Sequence, residues 1–216
     1  MFIHTCQQGS PEWLQSRAGV ITASMFATAR EKLKTGPHKG QPSSAARDYA
    51  FRVAIERIGG APLDEGFETW SMRRGHELEP EAREAHEQHA SLVVEPCGFV
   101  TTDDGLFGAS ADGLIGERGG AEYKCLVSPE RLRDTLLTND ISDYMDQVQG
   151  GMWITGRIWW DFCIYCPALA SIGRALTRWR VPRDDDYIDS MVGELLVFER
   201  LVSQYEATLR KPQLAA

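Results

Sequence analysis

The spacing of apolar and polar positions changes along the chain. Ser10-Pro11-Glu12-Trp13 places a serine cap before a proline at the first helical position, which predicts a helix start. A second helix is expected from Thr22 or Ser24. Ser43 or Ser44 caps a helix expected to run to about Ile58, with Tyr49, Phe51, Val53, Ala54 and Ile58 as apolar positions and Gly59-Gly60 as its end. Glu68 to Ala90 is also helical in pattern, and Pro80 inside it predicts a kink or a fresh start. The period then shortens. Leu92–Thr101, Leu106–Ile115 and Ala121–Val127 read as strands, with Asp104-Gly105 and Gly119-Gly120 as hairpin turns. Helices follow over 128–140 and 142–154, the latter capped by Ser142, then strands over Arg157–Tyr165 and 174–181. A last helix spans about Asp184 to Arg210, with Ile188, Met191, Val192, Leu195, Phe198, Leu201 and Val202 at helical spacing. The expected class is α/β (α+β), a central mixed sheet flanked by helices.

Composition narrows the function classes. The 216 residues predict a single domain, 1–216, and 43 % hydrophobic with 25 % charged residues is ordinary for a globular chain. No apolar run approaches the roughly 18 residues of a membrane span, and the start lacks a secretory pattern. Five cysteines without framework spacing predict reduced thiols and a cytoplasmic setting. A net charge of −8 argues against a protein that coats nucleic acid, but not against an enzyme that grips DNA locally. Arg30, Lys32, Lys34, His38 and Lys39 cluster among Gly36, Pro37, Gly40 and Pro42. This segment reads either as a solvated loop or as an arm whose Lys32, Lys34 and Lys39 touch phosphates.

Candidate chemistry concentrates in GASADGLIGERGGAEYKC, residues 108–125. On a strand, Glu122 and Lys124 share one face and Tyr123 points to the other, its backbone carbonyl remaining available. A hairpin would bring Asp112 toward Glu122. Two converging carboxylates repel unless a cation lies between them, and hard oxygen donors suit Mg²⁺ or Mn²⁺. Taken alone, the stretch also fits a surface hairpin with a Glu–Lys ion pair.

Five blocks in order widen the picture: RAGVITAS at 17–24, RGHELEPEAR at 74–83, ASADGL at 109–114, EYKC at 122–125 and YMDQVQGGMWIT at 144–155. With the D-x(9)-E-x-K pattern they resemble the phage lambda-type alkaline exonucleases, the YqaJ-like viral recombinase nucleases of the PD-(D/E)xK superfamily. The resemblance implies a restriction-endonuclease-like fold and a 5′→3′ exonuclease that degrades linear duplex DNA from 5′-phosphorylated ends to mononucleotides. It implies two Mg²⁺ (or Mn²⁺) ions per site, with Asp112 shared between them and Glu122 and the Tyr123 carbonyl completing the first. Lys124 would contact the attacking water or scissile phosphate, Glu79 would approach the metals from a helix, and Gln147 would reach the same centre. Arg17, Ser24 and Ser110 would bind the 5′ phosphate, and Met72 would wedge the terminal base pairs apart. The resemblance further implies a homotrimeric ring around DNA, a single-strand annealing protein as partner for the 3′ overhangs, and a phage or prophage origin in a bacterial cytoplasm. Pro80 directly after Glu79 departs from an uninterrupted helix, and Arg74 and Ala111 replace residues the family favours.

Other groupings carry less. Cys163 and Cys166 have C-x2-C spacing on an apolar strand and read as core cysteines. His86 and His89 have the spacing of a helical zinc pair but lack a third ligand. Trp159-Trp160 reads as core or subunit interface. Two rival functions remain in view: an endonuclease of the same fold, and a catalytically silent subunit that binds DNA ends.

Overall fold

The computed structural model describes residues 1–63, 70–125 and 128–212, and for 70–72 the backbone alone. The chain divides into two compact units, one built from the described residues of 1–65, 98–109 and 184–216, the other from those of 66–97 and 110–183. In place of one central sheet there are two four-stranded mixed sheets, one in each unit. No described helix is long and apolar enough to cross a membrane.

In the first unit, β1 (Phe2–His4), β3 (Phe99–Thr101), β4 (Phe107–Ala109) and β2 (Ile21–Thr22) lie in the order β1-β3-β4-β2. The β3–β4 hairpin turns at Asp104-Gly105, as expected, with Gly105 at φ +70. Around this sheet lie α1 (Pro11–Arg17), α2 (Phe26–Arg30), α3 (Ser44–Gly59) and α7 (Asp185–Leu209). Several capping signals act as the sequence indicates, but Ser142 does not cap the helix Met145–Thr155, which follows a 3-10 turn over Ser142–Tyr144. Ser10 accepts from the Trp13 N–H, Ser43 from Ala46 and Asp184 from Tyr187, while Gly60 ends α3 in the left-handed region. The buried face of α7 is Ile188, Met191, Leu195, Phe198 and Val202. On α3 the sequence reading needs correction. Phe51 and Ile58 are exposed, and the buried face is Ala46, Ala50, Val53, Ala54 and Glu56. Small residues let α7 approach α3 closely, and Tyr49 stacks on Phe198 at 5.4 Å.

The second unit holds β5 (Gly113–Ile115), β6 (Gly119–Lys124), β7 (Trp159–Tyr165) and β8 (Leu176–Pro182) in sequence order, with β6 and β7 parallel and the outer pairs antiparallel. Its helices are α4 (Trp70–Ala90), α5 (Pro129–Thr138) and α6 (Met145–Thr155). The expected start of α4 at 68 and end of β6 at 127 fall outside the described residues. Pro80 neither starts nor ends α4, which continues through it. It is exposed, while Leu78, Ala82 and His86, four residues apart, are buried and anchor the helix. Their burial outweighs the roughly 3 kcal/mol cost of an interior proline.

The stretch 108–125 departs from the expected hairpin in two ways. The expected strand 106–115 is split, because β4 and β5 belong to different sheets and Ser110, Ala111 and Asp112 form the link between them. The turn is Gly116-Glu117-Arg118, with Gly116 at φ +51, and Gly119-Gly120 instead open β6. Those glycines are needed because a Cβ at Gly119 would lie 2.2 Å from the Trp159 ring and one at Gly120 2.3 Å from that of Trp160. The tandem tryptophans of β7 pack against bare backbone.

Candidate active site

Strand β6 presents two different faces. Its pleat turns Glu122 and Lys124 toward α6 and Tyr123 toward α4. Glu122 is buried, and its Oε1 accepts from Lys124 Nζ at 2.7 Å and from Gln147 Nε2 at 2.5 Å. Lys124 Nζ also donates to Gln147 Oε1 at 3.0 Å, closing a three-residue ring of hydrogen bonds. Gln149, the other glutamine of the block, turns away and donates to the Pro182 carbonyl. A helix cannot present residues i and i+2 to one site.

Asp112 enters from the link between the sheets. The β5–β6 register pairs Gly113 with Ala121, so one step further places Asp112 opposite Glu122. Its Oδ2 accepts from the Tyr123 N–H at 2.6 Å. Glu79 approaches from α4, held by Arg83 one turn later at 3.2 Å; Arg83 also donates to the Asp112 carbonyl at 3.0 Å. Arg83 closes the block RGHELEPEAR, where the sequence pattern gives it no role. Its i+4 spacing from Glu79 is the signal that could have found it.

Electrostatics mark this cluster as a place that wants positive charge. Burial, then the Glu122 and Glu79 carboxylates, push Asp112 well above its usual range. Burial also raises Glu79, Arg83 opposes it and Glu122 adds to it. For Lys124, burial alone would lower the pKa, but Glu122 and Asp112 overcome that and hold the ammonium protonated. Among the described residues no three His, Cys, Asp or Glu side chains form a closed metal cage. The donor set still fits a hard divalent ion. Mg²⁺ takes one or two carboxylates and keeps several waters, and a cation would relieve the repulsion that raises Asp112.

The remaining expected site residues fall as follows. Arg17 and Ser24 belong to the first unit and Ser110 to the second. The Arg17 guanidinium lies over the Trp13 ring at 4.2 Å, and burial lowers its pKa to about 10. Ser24 is exposed in the 3-10 turn Ala23–Met25, with Thr22 Oγ1 3.3 Å from its hydroxyl. Ser110 sits two residues before Asp112, in the link. The Met72 side chain lies outside the described residues. Lys32 is exposed and pairs with Glu194 at 2.9 Å, beside Arg30 at 2.7 Å, and Lys34 and Lys39 stand in an exposed loop.

His86 is not half of a zinc pair. It is wholly buried, with Tyr123 Oη 2.9 Å from Nδ1 and Asp161 Oδ2 3.1 Å from Nε2. Asp161, also wholly buried, accepts from Arg178 at 3.1 Å and from Arg180 through two bonds at 2.9 Å.

The carboxylate–lysine cluster lies on β6, an inner strand of its mixed sheet, and residues 12–158 match the YqaJ-like viral recombinase domain. The chain belongs to that family. Among solved structures it is similar to an alkaline exonuclease (LHK-Exo) from Laribacter hongkongensis, with 28 % identity, TM-score 0.79, and 93 % of this chain and 97 % of that one covered. The same exonuclease in complex with dAMP gives 28 % identity and TM-score 0.78 over 92 % of this chain and 94 % of that one. A phage-related exonuclease from Haemophilus somnus 129PT, at 15 % identity and TM-score 0.69 over 88 % of this chain and 96 % of that one, shares the fold. No curated protein matches the chain significantly.

Proposed function

We propose that this chain, as one nuclease domain over 1–216, is a 5′→3′ exonuclease that degrades one strand of linear duplex DNA from 5′-phosphorylated ends. Mononucleotides are released and 3′ overhangs remain for a single-strand annealing partner in phage-type recombination. The observation that carries the reading is the convergence of Asp112, Glu122, Lys124 and Gln147 at β6, with Glu79 brought in by α4. The complex of the related Laribacter enzyme with dAMP, a mononucleotide, supports the product class.

Asp112, Glu122, the Tyr123 carbonyl and Glu79 would hold two Mg²⁺ ions. When bound, such ions supply a deprotonated water at neutral pH and charge on the leaving oxygen. The chain's own residues supply alignment. The Tyr123 N–H fixes the Asp112 carboxylate, and Gln147 holds Glu122 and Lys124 in register. Protonated Lys124 places a positive charge where the phosphoryl oxygens gain negative charge in the transition state. Arg17, Ser24 and Ser110 would bind the 5′ phosphate and set the cut one nucleotide in, with Met72 as wedge and Lys34 and Lys39 as phosphate contacts. A homotrimeric ring in the bacterial cytoplasm would expose its acidic surfaces outward and explain how a chain of net charge −8 holds DNA.

The test compares linear duplexes bearing 5′-phosphate or 5′-hydroxyl ends with a closed circle, each with and without Mg²⁺. The reading requires rapid mononucleotide release from the phosphorylated linear duplex with Mg²⁺ alone. Cutting of the closed circle would identify an endonuclease, and tight end binding without hydrolysis a silent subunit.

A further inference from the structure

Behind the reacting face of β6 lies a chain of buried hydrogen bonds that the proposed chemistry does not use. It runs from the Tyr123 hydroxyl to His86 on α4, from His86 to Asp161 on β7, and from Asp161 to Arg178 and Arg180 on β8. Asp161 is held well below the usual carboxylate range because hydrogen bonds from Arg180 and His86 overcome its burial, so it only accepts, and His86 Nε2 carries a hydrogen. The Tyr123 hydroxyl lies 2.9 Å from Nδ1 and completes the chain.

An apolar filling of the same volume would give comparable or greater stability, so such a chain is better suited to fixing one geometry than to adding strength. The geometry it fixes is that of the site. Tyr123 lies between Glu122 and Lys124, and its N–H holds Asp112. His86 stands two turns from Glu79, about 10 Å along α4 and on the same helix face. Arg83, between them, grips both Glu79 and the Asp112 carbonyl. Helix α4 is therefore tied to the strands at His86 and at Arg83, and those ties set where Glu79 stands relative to Asp112 and Glu122.

We propose that His86 and Asp161 are positioning residues of the nuclease centre, locking the Tyr123 ring and, through it, both the β6 backbone and the approach of α4. The inference rests on the proposed reading of the site as a Mg²⁺-dependent nuclease. Outer groups of this kind typically change metal affinity or activity 10- to 100-fold on removal.

The test uses Tyr123→Phe, which keeps the ring, and His86→Gln, whose amide retains the bond to Asp161 but loses Tyr123. Each is expected to weaken calorimetric Mg²⁺ binding to the DNA-free protein by about tenfold and to lower kcat similarly, with KM for DNA ends unchanged. Because the groups act as one unit, the double variant should be no worse than either single one. Variants with wild-type Mg²⁺ affinity and kcat, or losses that follow melting temperature alone, or additive losses, overturn the inference. A wild type that neither binds Mg²⁺ nor degrades DNA overturns the proposed function, and this inference with it. A wild type that does both while the variants match it overturns this inference alone.

Discussion

The two faces of β6 both adjoin buried ionisable groups, yet their electrostatics differ in kind. Toward α4, Tyr123, His86 and Asp161 form a closed chain in which the one carboxylate meets two arginines. Around Asp112 and Glu122 the carboxylates crowd together, with Glu79 reaching in from α4, and among the described residues Lys124, Arg83 and His76 oppose them. The first arrangement lowers the acid's pKa and the second raises it. One face is balanced as folded, and the other is left with an excess of negative charge. A single strand can carry both because alternate residues face opposite sides of the sheet.

The sharpest way to break this contrast is Asp112→Asn. Hydrolysis of linear duplex should fall by about a thousandfold or more, since the substitution removes charge stabilisation at the reacting phosphate. The same variant tests the excess of negative charge. Because the folded pKa values of Asp112 and Glu79 are raised, the metal-free fold favours their neutral forms. That stability is fully present below the ordinary values of 3.8 and 4.5 and is lost as pH rises through the raised folded values. Metal-free wild type should therefore lose melting temperature as pH rises above the ordinary carboxylate values, and Asp112→Asn should lose less. Equal slopes would remove the distinction between the faces.

On the closed face, Asp161→Ala should cost about 3–5 kcal/mol in chemical denaturation, because it strips the partner from two arginines and a buried histidine. A loss below about 1 kcal/mol would mean the chain contributes nothing to the fold. Gly120→Ala should cost about 1–3 kcal/mol, since the new Cβ meets the Trp160 ring, and the loss should appear in stability before activity. Gln147→Ala should have the smallest effect, a few-fold to about tenfold fall in kcat with unchanged melting temperature. A Gln147→Ala variant that instead loses DNA affinity would place this residue at the substrate rather than at Glu122 and Lys124.

Helix ends were legible because a cap is a local event. Ser10, Ser43, Asp184 and Gly60 act within one turn, and their spacing alone signals them. The alternation of Glu122, Tyr123 and Lys124 was legible for the same reason. The turn at Gly116 was not. Gly119-Gly120 has the composition of a turn, but those glycines serve Trp159 and Trp160, which lie about forty residues downstream. The split between β4 and β5 was hidden because both halves are short, apolar and flanked by glycine, so periodicity could not tell one strand from two.

By itself the sequence determined the family, several helix limits and the side chains available for chemistry, since motifs, caps and strand alternation are properties of neighbouring residues. Only the tertiary structure decided that Arg83 joins Glu79 to Asp112, that His86 is a buried link rather than a metal ligand, and that Lys32 pairs with Glu194. Such partners are chosen by packing between elements far apart in the chain. The pKa shifts follow from it as well, because burial and the distance between charges exist only once the strands and helices have met.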